Sequence, residues 1–357
     1  MSITVKDAVK EKKISYIKRE ALPVSGQIVK LDRNENTIGF SPKVKAYLSS
    51  HANDLNSYPD IFAGPLREKL SAFYDVKPEE ILVGNGSFEL ISLLSQIFIN
   101  PGDEVIFPDP SFEFYKVFGE LAGGKIVHVP LKSHSVSLEK IAEKITDKTK
   151  IIWICNPNNP TGTVLSQQEI LEFLKWLSPS VLVVIDEAYI DFVREKEIPD
   201  LVHEVRNFPN LVLLRTFSKA YGLASARVGY AIANEDLIGQ IVPWKIPPNT
   251  NYLGTLAAEI SLEDRVFHDY IVDYIKVESQ RYYRAFDELG LNYIPSNANF
   301  IFFHVKREAA PVVAELARRN ILVRGGAEYG YPKWIRVTIG TKEENDLFLD
   351  SLKEILK

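Results

Sequence analysis

A lysine flanked by hydroxyl residues follows a short apolar run in the second half of the chain. Residues 211–214 have the pattern of a buried strand, and Thr216, Ser218, Lys219 and Arg227 come after them. A neutral lysine can form an imine with a carbonyl compound, and hydroxyls with an arginine suit a phosphate dianion. Pyridoxal 5′-phosphate is a carbonyl compound that carries such a phosphate. A solvated turn followed by a surface arginine is the alternative interpretation.

Two further loops follow apolar runs and carry suitable partners for such a compound. Gly86 and Ser87 come after a strand pattern at residues 81–83 and open a helix, whose free N–H groups can hold a phosphate. An ordinary Gly-Asn-Gly turn would have the same sequence. The loop 155–162, Cys-Asn-Pro-Asn-Asn-Pro-Thr-Gly, is stiffened by two prolines and favours a fixed orientation for an asparagine amide such as that of Asn159.

A carboxylate ends the apolar run of residues 181–185. Asp186 in this place is costly to desolvate unless it is paired. A protonated pyridine nitrogen would be such a partner, because the anion would hold the ring proton and keep the ring an electron sink. Tyr189 could donate to the ring oxygen. For the neighbouring Glu187, a salt bridge to a lysine or arginine, or a helix cap, is an alternative.

Two arginines near the C-terminus lie in or beside strand patterns. Arg324 follows residues 321–323, and Arg336 lies within residues 334–339. An arginine in an apolar strand needs an anionic partner, and its fork suits a carboxylate or phosphate. Ion pairs within the protein are the alternative.

The bulk composition excludes several other classes of protein. The chain has 357 residues, 46% of them hydrophobic, and a net charge of −5 without a basic block, which argues against a nucleic-acid binder. The single cysteine, Cys155, fits a reducing compartment, and no apolar run suits a signal or a membrane span. We therefore expect a cytoplasmic protein. The six histidines lack metal-ligand spacing, and no nucleophile elbow, phosphate loop or dinucleotide fingerprint occurs.

Alternating helix and strand patterns between residues 66 and 240 must position these groups. The strands are continuous Val/Ile/Leu runs, which indicates a largely parallel sheet covered by helices on both faces. Ligands of such sheets bind beyond the carboxyl ends of the strands. We predict a large domain at residues 44–245. Residues 1–43 and 246–357 would form an N-terminal arm and a smaller α+β domain.

Taken together, these motifs resemble the fold-type I pyridoxal-phosphate-dependent aminotransferases, and among them the histidinol-phosphate aminotransferase family. The resemblance extends from Leu-Asp-Arg-Asn-Glu-Asn at residues 31–36, through Tyr-Pro-Asp at 58–60, to Ile-Arg-Val-Thr-Ile-Gly-Thr at 335–341. It implies a mixed, mostly parallel seven-stranded sheet flanked by helices, plus the smaller α+β domain. The implied reaction converts histidinol phosphate and 2-oxoglutarate to imidazole-acetol phosphate and glutamate, in histidine biosynthesis.

The resemblance also assigns roles to residues around the cofactor. Lys219 would form the imine, Asp186 would pair with the pyridine nitrogen, and Tyr189, the third catalytic residue, would bind the ring oxygen together with Asn159. Phe112 would stack on the ring. The residues implied for the cofactor phosphate are Gly86, Ser87, Thr216, Ser218, Arg227 and, from a neighbouring subunit, Tyr58. A homodimer with shared active sites follows from the last of these.

Arg336 and Arg324 would bind the anionic group of the substrate, with Glu35 near its imidazole end and Asn159 beside it. Some positions depart from the family pattern, notably Phe88 in place of an acidic residue and Leu-Ala-Ser-Ala at 223–226. Because the departures lie near the substrate, other activities stay open. They are an aminotransferase for aromatic or other amino acids, a threonine-phosphate decarboxylase, and a non-catalytic cofactor-binding domain.

Overall fold

The computed structural model describes residues 28–51, 55–193 and 199–357. The strands are β1 (Val29–Lys30), β2 (Ile81–Gly84), β3 (Glu104–Asp109), β4 (Lys125–Pro130), β5 (Thr149–Cys155), β6 (Leu182–Asp186), β7 (Leu211–Thr216), β8 (Gly229–Ala233), β9 (Asn292–Ile294), β10 (Phe300–His304), β11 (Ile321–Leu322), β12 (Arg324–Gly325) and β13 (Trp334–Thr338). The α-helices are α1 (Pro42–His51), α2 (Gly64–Tyr74), α3 (Ser87–Phe98), α4 (Phe114–Leu121), α5 (Leu138–Ala142), α6 (Gln167–Trp176), α7 (Glu235–Ile241), α8 (Tyr252–Glu263), α9 (Arg265–Glu288), α10 (Ala309–Arg318) and α11 (Lys342–Leu356).

The large sheet has seven strands in the order β2-β8-β7-β6-β5-β3-β4. Its strands run parallel except β8, which is antiparallel to both of its neighbours, β2 and β7. This mixed, mostly parallel sheet confirms the predicted fold class. The carboxyl ends of β5, β6 and β7 therefore meet at one edge, where the predicted site residues follow them.

Helices cover both faces of this sheet, which explains the continuous apolar runs. Along β5, Ile152 and Ile154 belong to one hydrophobic core, whereas Ile151 and Trp153 belong to the core on the opposite face. Successive side chains of a strand point to opposite faces, so a strand between two helix layers must be apolar at every position. The strands that carry the site are thereby fixed on both sides.

A smaller antiparallel sheet, in the order β12-β13-β10-β9, lies in the C-terminal part of the chain. A third hydrophobic core contains residues of α9, α10 and α11 together with Val29 and Leu31. The N-terminal strand β1 pairs in parallel with β11, with Val29 opposite Ile321. The N-terminal segment thus packs with the C-terminal residues. The boundaries at residues 43/44 and 245/246 stay a prediction, and the first 27 residues of the predicted arm lie outside the described residues.

Residues 254–289 have a continuous helical pattern in the sequence, but the structure has two helices here, α8 and α9, which are separated at Asp264. The backbone of Asp264 leaves the helical region (φ −96°, ψ 64°). Its carboxylate accepts a hydrogen bond from the Ser41 hydroxyl at 2.5 Å and pairs with Lys43 at 3.1 Å. Asp264 therefore ties this junction to the start of α1.

The described residues contain neither a candidate membrane-spanning helix nor a candidate metal-binding cluster. None of the helices in residues 28–51, 55–193 and 199–357 is both long and apolar enough to cross a membrane. Within those ranges, no group of three or more His, Cys, Asp or Glu side chains could hold a metal ion.

Candidate active site

The predicted residues meet in a cavity of about 290 Å³ at the carboxyl edge of the large sheet. Its lining includes Glu35, Ser87, Phe112, Asn159, Asp186, Tyr189, Thr216, Ser218, Lys219 and Arg227. A second cavity, of about 350 Å³, adds Phe114, Arg324, Tyr329 and Arg336. Both cavities are lined by Arg33, Phe112, Asn159, Tyr189 and Lys219, so they lie side by side with the lysine between them. We call them the lysine cavity and the arginine cavity.

The amine of Lys219 is partly buried and lies among other charges. Its Nζ donates to the backbone carbonyls of Arg33 at 3.2 Å and Asn34 at 3.0 Å. Burial, followed by the positive charge of Arg336, lowers the pKa of Lys219 to about 8, against the opposing effects of Glu35 and Asp186. A lysine with this pKa has a reactive unprotonated fraction near neutral pH.

Asp186, the last residue of β6, presents a buried carboxylate. Its Oδ2 accepts from the Tyr115 hydroxyl at 2.8 Å and its Oδ1 accepts from the Ala188 N–H at 3.2 Å. Burial raises the pKa of Asp186, while these hydrogen bonds act in the opposite direction. Within the described part of the chain, no lysine, arginine or histidine forms a salt bridge to it within 4 Å. A buried anion without such a partner fits a cationic ring nitrogen.

Sequence reasoning missed Tyr115. This residue is fully buried and stacks on Trp153, with ring centroids 5.1 Å apart and planes at 6°. It therefore holds its hydroxyl rigidly against Asp186. No sequence signal connects the two residues, because they lie 71 positions apart and on different elements.

The loop before α3 forms a cradle with Arg227. Gly86 has φ +79°, and a Cβ built there would lie 2.4 Å from Nη2 of Arg227. On the adjacent strand, a Cβ at Gly229 would lie 2.2 Å from the backbone nitrogen of Ser87. The missing side chains let a guanidinium and a helix N-terminus come together, as an anion site requires.

Two hydroxyls complete this cradle. The Thr216 hydroxyl donates to the Ser218 hydroxyl at 3.0 Å, and Arg227 donates to the Ala224 carbonyl at 2.8 Å. Arg227 itself has φ +56°. The cradle, the buried carboxylate and the lysine together fit the phosphate, the ring nitrogen and the carbonyl of pyridoxal phosphate.

Arg336 links the two cavities. Its Nη1 donates to Asn159 Oδ1 at 2.6 Å and to the Tyr329 hydroxyl at 3.1 Å, and its Nη2 donates to the Asp32 carbonyl at 2.7 Å. Its buried Nε has no hydrogen-bond partner among the residues that the structure describes. The Arg336 guanidinium thus sets the orientation of the Asn159 amide. The sequence of the stiff 155–162 loop predicts a fixed amide but does not indicate this cation.

Arg324 lies beside Arg336, since the two residues face each other across the β12–β13 pair. The guanidinium of Arg324 pairs with Glu328, so the ion pair considered as an alternative is present. The same holds for Glu187, whose buried carboxylate pairs with Arg215 at 2.7 Å. Arg324 nevertheless lines the arginine cavity.

Tyr58 is the predicted site residue that lies apart from the others. It is 90% exposed and lines neither cavity. Glu35, by contrast, lines the lysine cavity beside Arg33.

The divergent Phe88 packs its ring against Phe114 at 4.6 Å and Phe118 at 5.2 Å. The position at which the family usually has an acidic residue is therefore occupied here by a member of an aromatic cluster.

The sheet and the partly buried lysine with its surroundings are those expected of a transferase of the pyridoxal-phosphate type. A family model described as aminotransferase class I and II matches residues 26–352, and the chain belongs to that family. Two curated relatives are histidinol-phosphate aminotransferases. The one from Brevibacillus brevis is 41% identical over 92% of this chain and 91% of its own length. The one from Caldicellulosiruptor saccharolyticus is 39% identical over 99% of this chain and 98% of its own.

A solved structure has the same fold. The histidinol-phosphate aminotransferase from Sinorhizobium meliloti, in complex with pyridoxal-5′-phosphate, superposes with a TM-score of 0.88. It is 25% identical, and the match covers 92% of this chain and 91% of the other. The resemblance that the motifs indicated is thereby confirmed, and the fold is that of fold-type I.

Proposed function

We propose that this protein is a pyridoxal-phosphate-dependent histidinol-phosphate aminotransferase. It would transfer the amino group of histidinol phosphate to 2-oxoglutarate, with imidazole-acetol phosphate and glutamate as products. The observation that carries the proposal is the side-by-side arrangement of the lysine cavity and the arginine cavity. The lysine cavity has the groups that the cofactor needs, and the arginine cavity has two arginines for an anionic substrate.

Lys219 would hold the cofactor covalently between catalytic cycles. Once released by the incoming amine, it would remove the proton from the substrate carbon that bears the amino group, and return a proton later. The bound cofactor would supply the electron sink for this step. The lowered pKa of Lys219, about 8 because of burial and the charge of Arg336, suits an amine that must act as a base.

The other groups around the lysine cavity would bind and orient the cofactor. Asp186 would keep the ring nitrogen protonated, Asn159 and Tyr189 would bind the ring oxygen, and Phe112 would stack on the ring. The residues for the cofactor phosphate are Gly86, Ser87, Thr216, Ser218 and Arg227. Their support is the cradle geometry, in which Gly86 leaves room for the guanidinium of Arg227.

The arginine cavity would take the substrate. Arg336 and Arg324 would bind the phosphate of histidinol phosphate, and in the second half-reaction a carboxylate of the dicarboxylic substrate. Asn159 would orient the substrate beside the cofactor, and Glu35 would lie near the imidazole. An imidazole next to a carboxylate forms a charge-assisted hydrogen bond when it is protonated.

We also propose a cytoplasmic homodimer in which Tyr58 of each subunit reaches the phosphate cradle of the other. The exposure of Tyr58 on a single chain supports this arrangement, since a tyrosine that is 90% exposed has a large apolar surface left to bury. Its neighbours Ile61 and Phe62 are exposed as well.

An aminotransferase for aromatic amino acids is a second candidate. Its support is the cluster of Phe88, Phe112, Phe114 and Phe118, whose rings lie 4.6 to 6.3 Å apart. Phe88 and Phe112 line the lysine cavity, and Phe112 and Phe114 line the arginine cavity. Such a cluster offers an apolar wall to a phenyl ring.

A panel of amino donors separates these functions. Purified protein loaded with pyridoxal phosphate should show the visible absorbance of a lysine-bound cofactor, and Lys219→Ala should abolish it. Histidinol phosphate and glutamate should each discharge the band in single-turnover mixing, whereas phenylalanine and threonine phosphate should do so much more slowly. A protein that takes up no cofactor would refute the proposal as a whole. Discharge by phenylalanine but not by histidinol phosphate would select the second candidate.

A further inference from the structure

Asn34 is a buried residue beside the lysine cavity whose role the sequence did not indicate. Its backbone lies in the left-handed region, with φ +55°. The backbone N–H donates to the Thr338 hydroxyl at 2.9 Å, and the carbonyl accepts from Asn299 at 3.1 Å and from Lys219 at 3.0 Å. Asn34 is therefore held by the small sheet and in turn contacts the lysine.

The side-chain amide of Asn34 has a defined polarity. Its Oδ1 accepts from the Thr338 hydroxyl at 3.3 Å, which leaves Nδ2 to face Tyr189. Nδ2 donates to the Tyr189 hydroxyl oxygen at 3.0 Å. An amide NH₂ can only donate, so the hydroxyl must accept from Asn34.

The direction of this hydrogen bond determines what Tyr189 can do for a ligand. Because the hydroxyl oxygen is occupied as an acceptor, its own hydrogen remains available toward the cavity that Tyr189 lines. Burial raises the pKa of Tyr189, so the phenol keeps that hydrogen at neutral pH. The neutral Tyr189 hydroxyl therefore accepts from Asn34 and can donate its hydrogen to a ligand in the lysine cavity.

We propose that Asn34 is a positioning residue that makes Tyr189 a hydrogen-bond donor to the ring oxygen of the cofactor. The inference rests on the proposed function, since it takes the lysine cavity to bind pyridoxal phosphate. Asn34 itself need not touch the cofactor. It acts through the orientation of one hydroxyl hydrogen, and its carbonyl holds the nearby lysine.

Asn34→Asp tests this direction, because aspartate has the same shape but can only accept when it is ionised. The Tyr189 hydrogen would then turn toward residue 34 and away from the ligand. We expect the affinity of the apo-protein for pyridoxal phosphate to fall about five- to tenfold relative to its affinity for 3-deoxypyridoxal 5′-phosphate, which lacks the ring oxygen. This is the size of one hydrogen bond. The quantity compared is the dissociation constant of the 3-deoxy compound divided by that of pyridoxal phosphate. This ratio removes any effect of the added charge on the phosphate or on Lys219.

Three further variants make the result specific. Tyr189→Phe should reduce the ratio similarly, and adding Asn34→Asp to it should change the ratio no further. The double variant is also the control for the added charge, because it carries the same carboxylate at residue 34 without the Tyr189 hydroxyl. Asn34→Gly tolerates the left-handed backbone and should give a ratio between those of Asn34→Asp and the parent.

An unchanged ratio in a folded Asn34→Asp protein would overturn the inference. So would an equal effect of Asn34→Asp with and without the Tyr189 hydroxyl. A parent protein that binds neither compound would instead refute the proposed function, so the two failures are distinguishable. Circular dichroism and thermal unfolding of each variant establish that it is folded.

Discussion

The charge of Lys219 depends on burial and on charged residues elsewhere in the chain. Arg336 lowers the pKa of its amine, after burial, while Glu35 raises it. Arg336 thus has two separate effects on this site: it offers an anion-binding group to the arginine cavity and keeps the neighbouring amine partly unprotonated. A substitution at Arg336 should therefore change more than substrate affinity.

Replacing Arg336 should move the pH dependence of cofactor attachment. Only the unprotonated amine attacks a carbonyl, so the rate at which apo-protein takes up pyridoxal phosphate should rise with pH, with a midpoint near the Lys219 pKa of about 8. Arg336→Gln removes a cation that disfavours protonation, so the pKa of Lys219 should rise and the midpoint should move to higher pH. Stopped-flow absorbance at a series of pH values measures it.

Arg324→Gln is the matched control for this experiment. The charge of Arg324 is already paired with Glu328, so its loss should leave the midpoint in place. A midpoint that moved equally in both variants would show that general positive charge, rather than Arg336, sets the pKa of Lys219.

At the scale of elements, three neighbouring strands build the phosphate cradle. Ser87 follows β2, Thr216 ends β7, and Arg227 precedes β8, which lies between the other two. The antiparallel direction of β8 brings its first residue, Gly229, to the edge where β2 and β7 end. The cradle therefore depends on the pairing of these strands as much as on its own side chains.

Gly86→Ala should disrupt this cradle. The new Cβ would meet Nη2 of Arg227, and the backbone at φ +79° would be strained. Left-handed strain costs on the order of 1–3 kcal/mol, and a loop that relieves it by leaving the binding conformation loses affinity by that amount. We therefore expect at least about a fivefold loss of affinity for pyridoxal phosphate, measured by titration of the apo-protein. Gly239→Ala, in α7, is the control and should bind normally, because its new Cβ would meet no atom of the described residues within 4 Å. Equal affinities would contradict the role of Gly86.

The long apolar elements could be predicted from the sequence, whereas the short ones could not. The apolar patterns of residues 229–233 and 342–356 extend over the whole of β8 and α11, so they predict the bounds that the structure has. Strands β11 and β12 have two residues each, too few for any periodicity. Helix α7 has only seven residues, and its sequence signal is limited to the cap in which Asn234 accepts from the Asp236 N–H.

The residues of the site also differ in how well the sequence predicts them. Lys219, Asp186 and Asn159 could be predicted because each lies at the end of an apolar strand or within a few residues of it. The role of Asn34 could not, since its hydrogen-bond partner Thr338 lies 304 positions away and nothing in the two motifs that contain these residues connects them. Supporting residues of this kind are determined by tertiary contacts alone.

At the scale of the whole molecule, large apolar side chains are exposed on segments that lie near one another. Helix α8 packs against both α1 and α2. Tyr47 of α1 and Phe73 of α2 are exposed, and so are Trp244 and Ile246 before α8. Exposed apolar side chains on neighbouring segments are a feature of protein–protein interfaces.

Ile246→Glu should therefore weaken the proposed homodimer. A charge at a side chain that is 75% exposed in the single chain is harmless to the fold but costly if a second copy covers it. We expect a lower mass by light scattering, and weaker cofactor binding if Tyr58 acts across the interface. Trp176→Glu, at a 62% exposed tryptophan on α6, should leave the mass unchanged. A parent protein that is monomeric and binds the cofactor fully would contradict both parts of the proposal.

The position of β2 has a consequence for folding. Among the residues that the structure describes, β2 is an edge strand of the large sheet and pairs only with β8, which comes almost 150 residues later in the chain. Contacts between residues so far apart form at a high cost in chain entropy. A phosphate bound by Ser87 and Arg227 together would bind the native state alone and stabilise it by mass action. The cofactor would then also hold the outermost strand of the sheet in place.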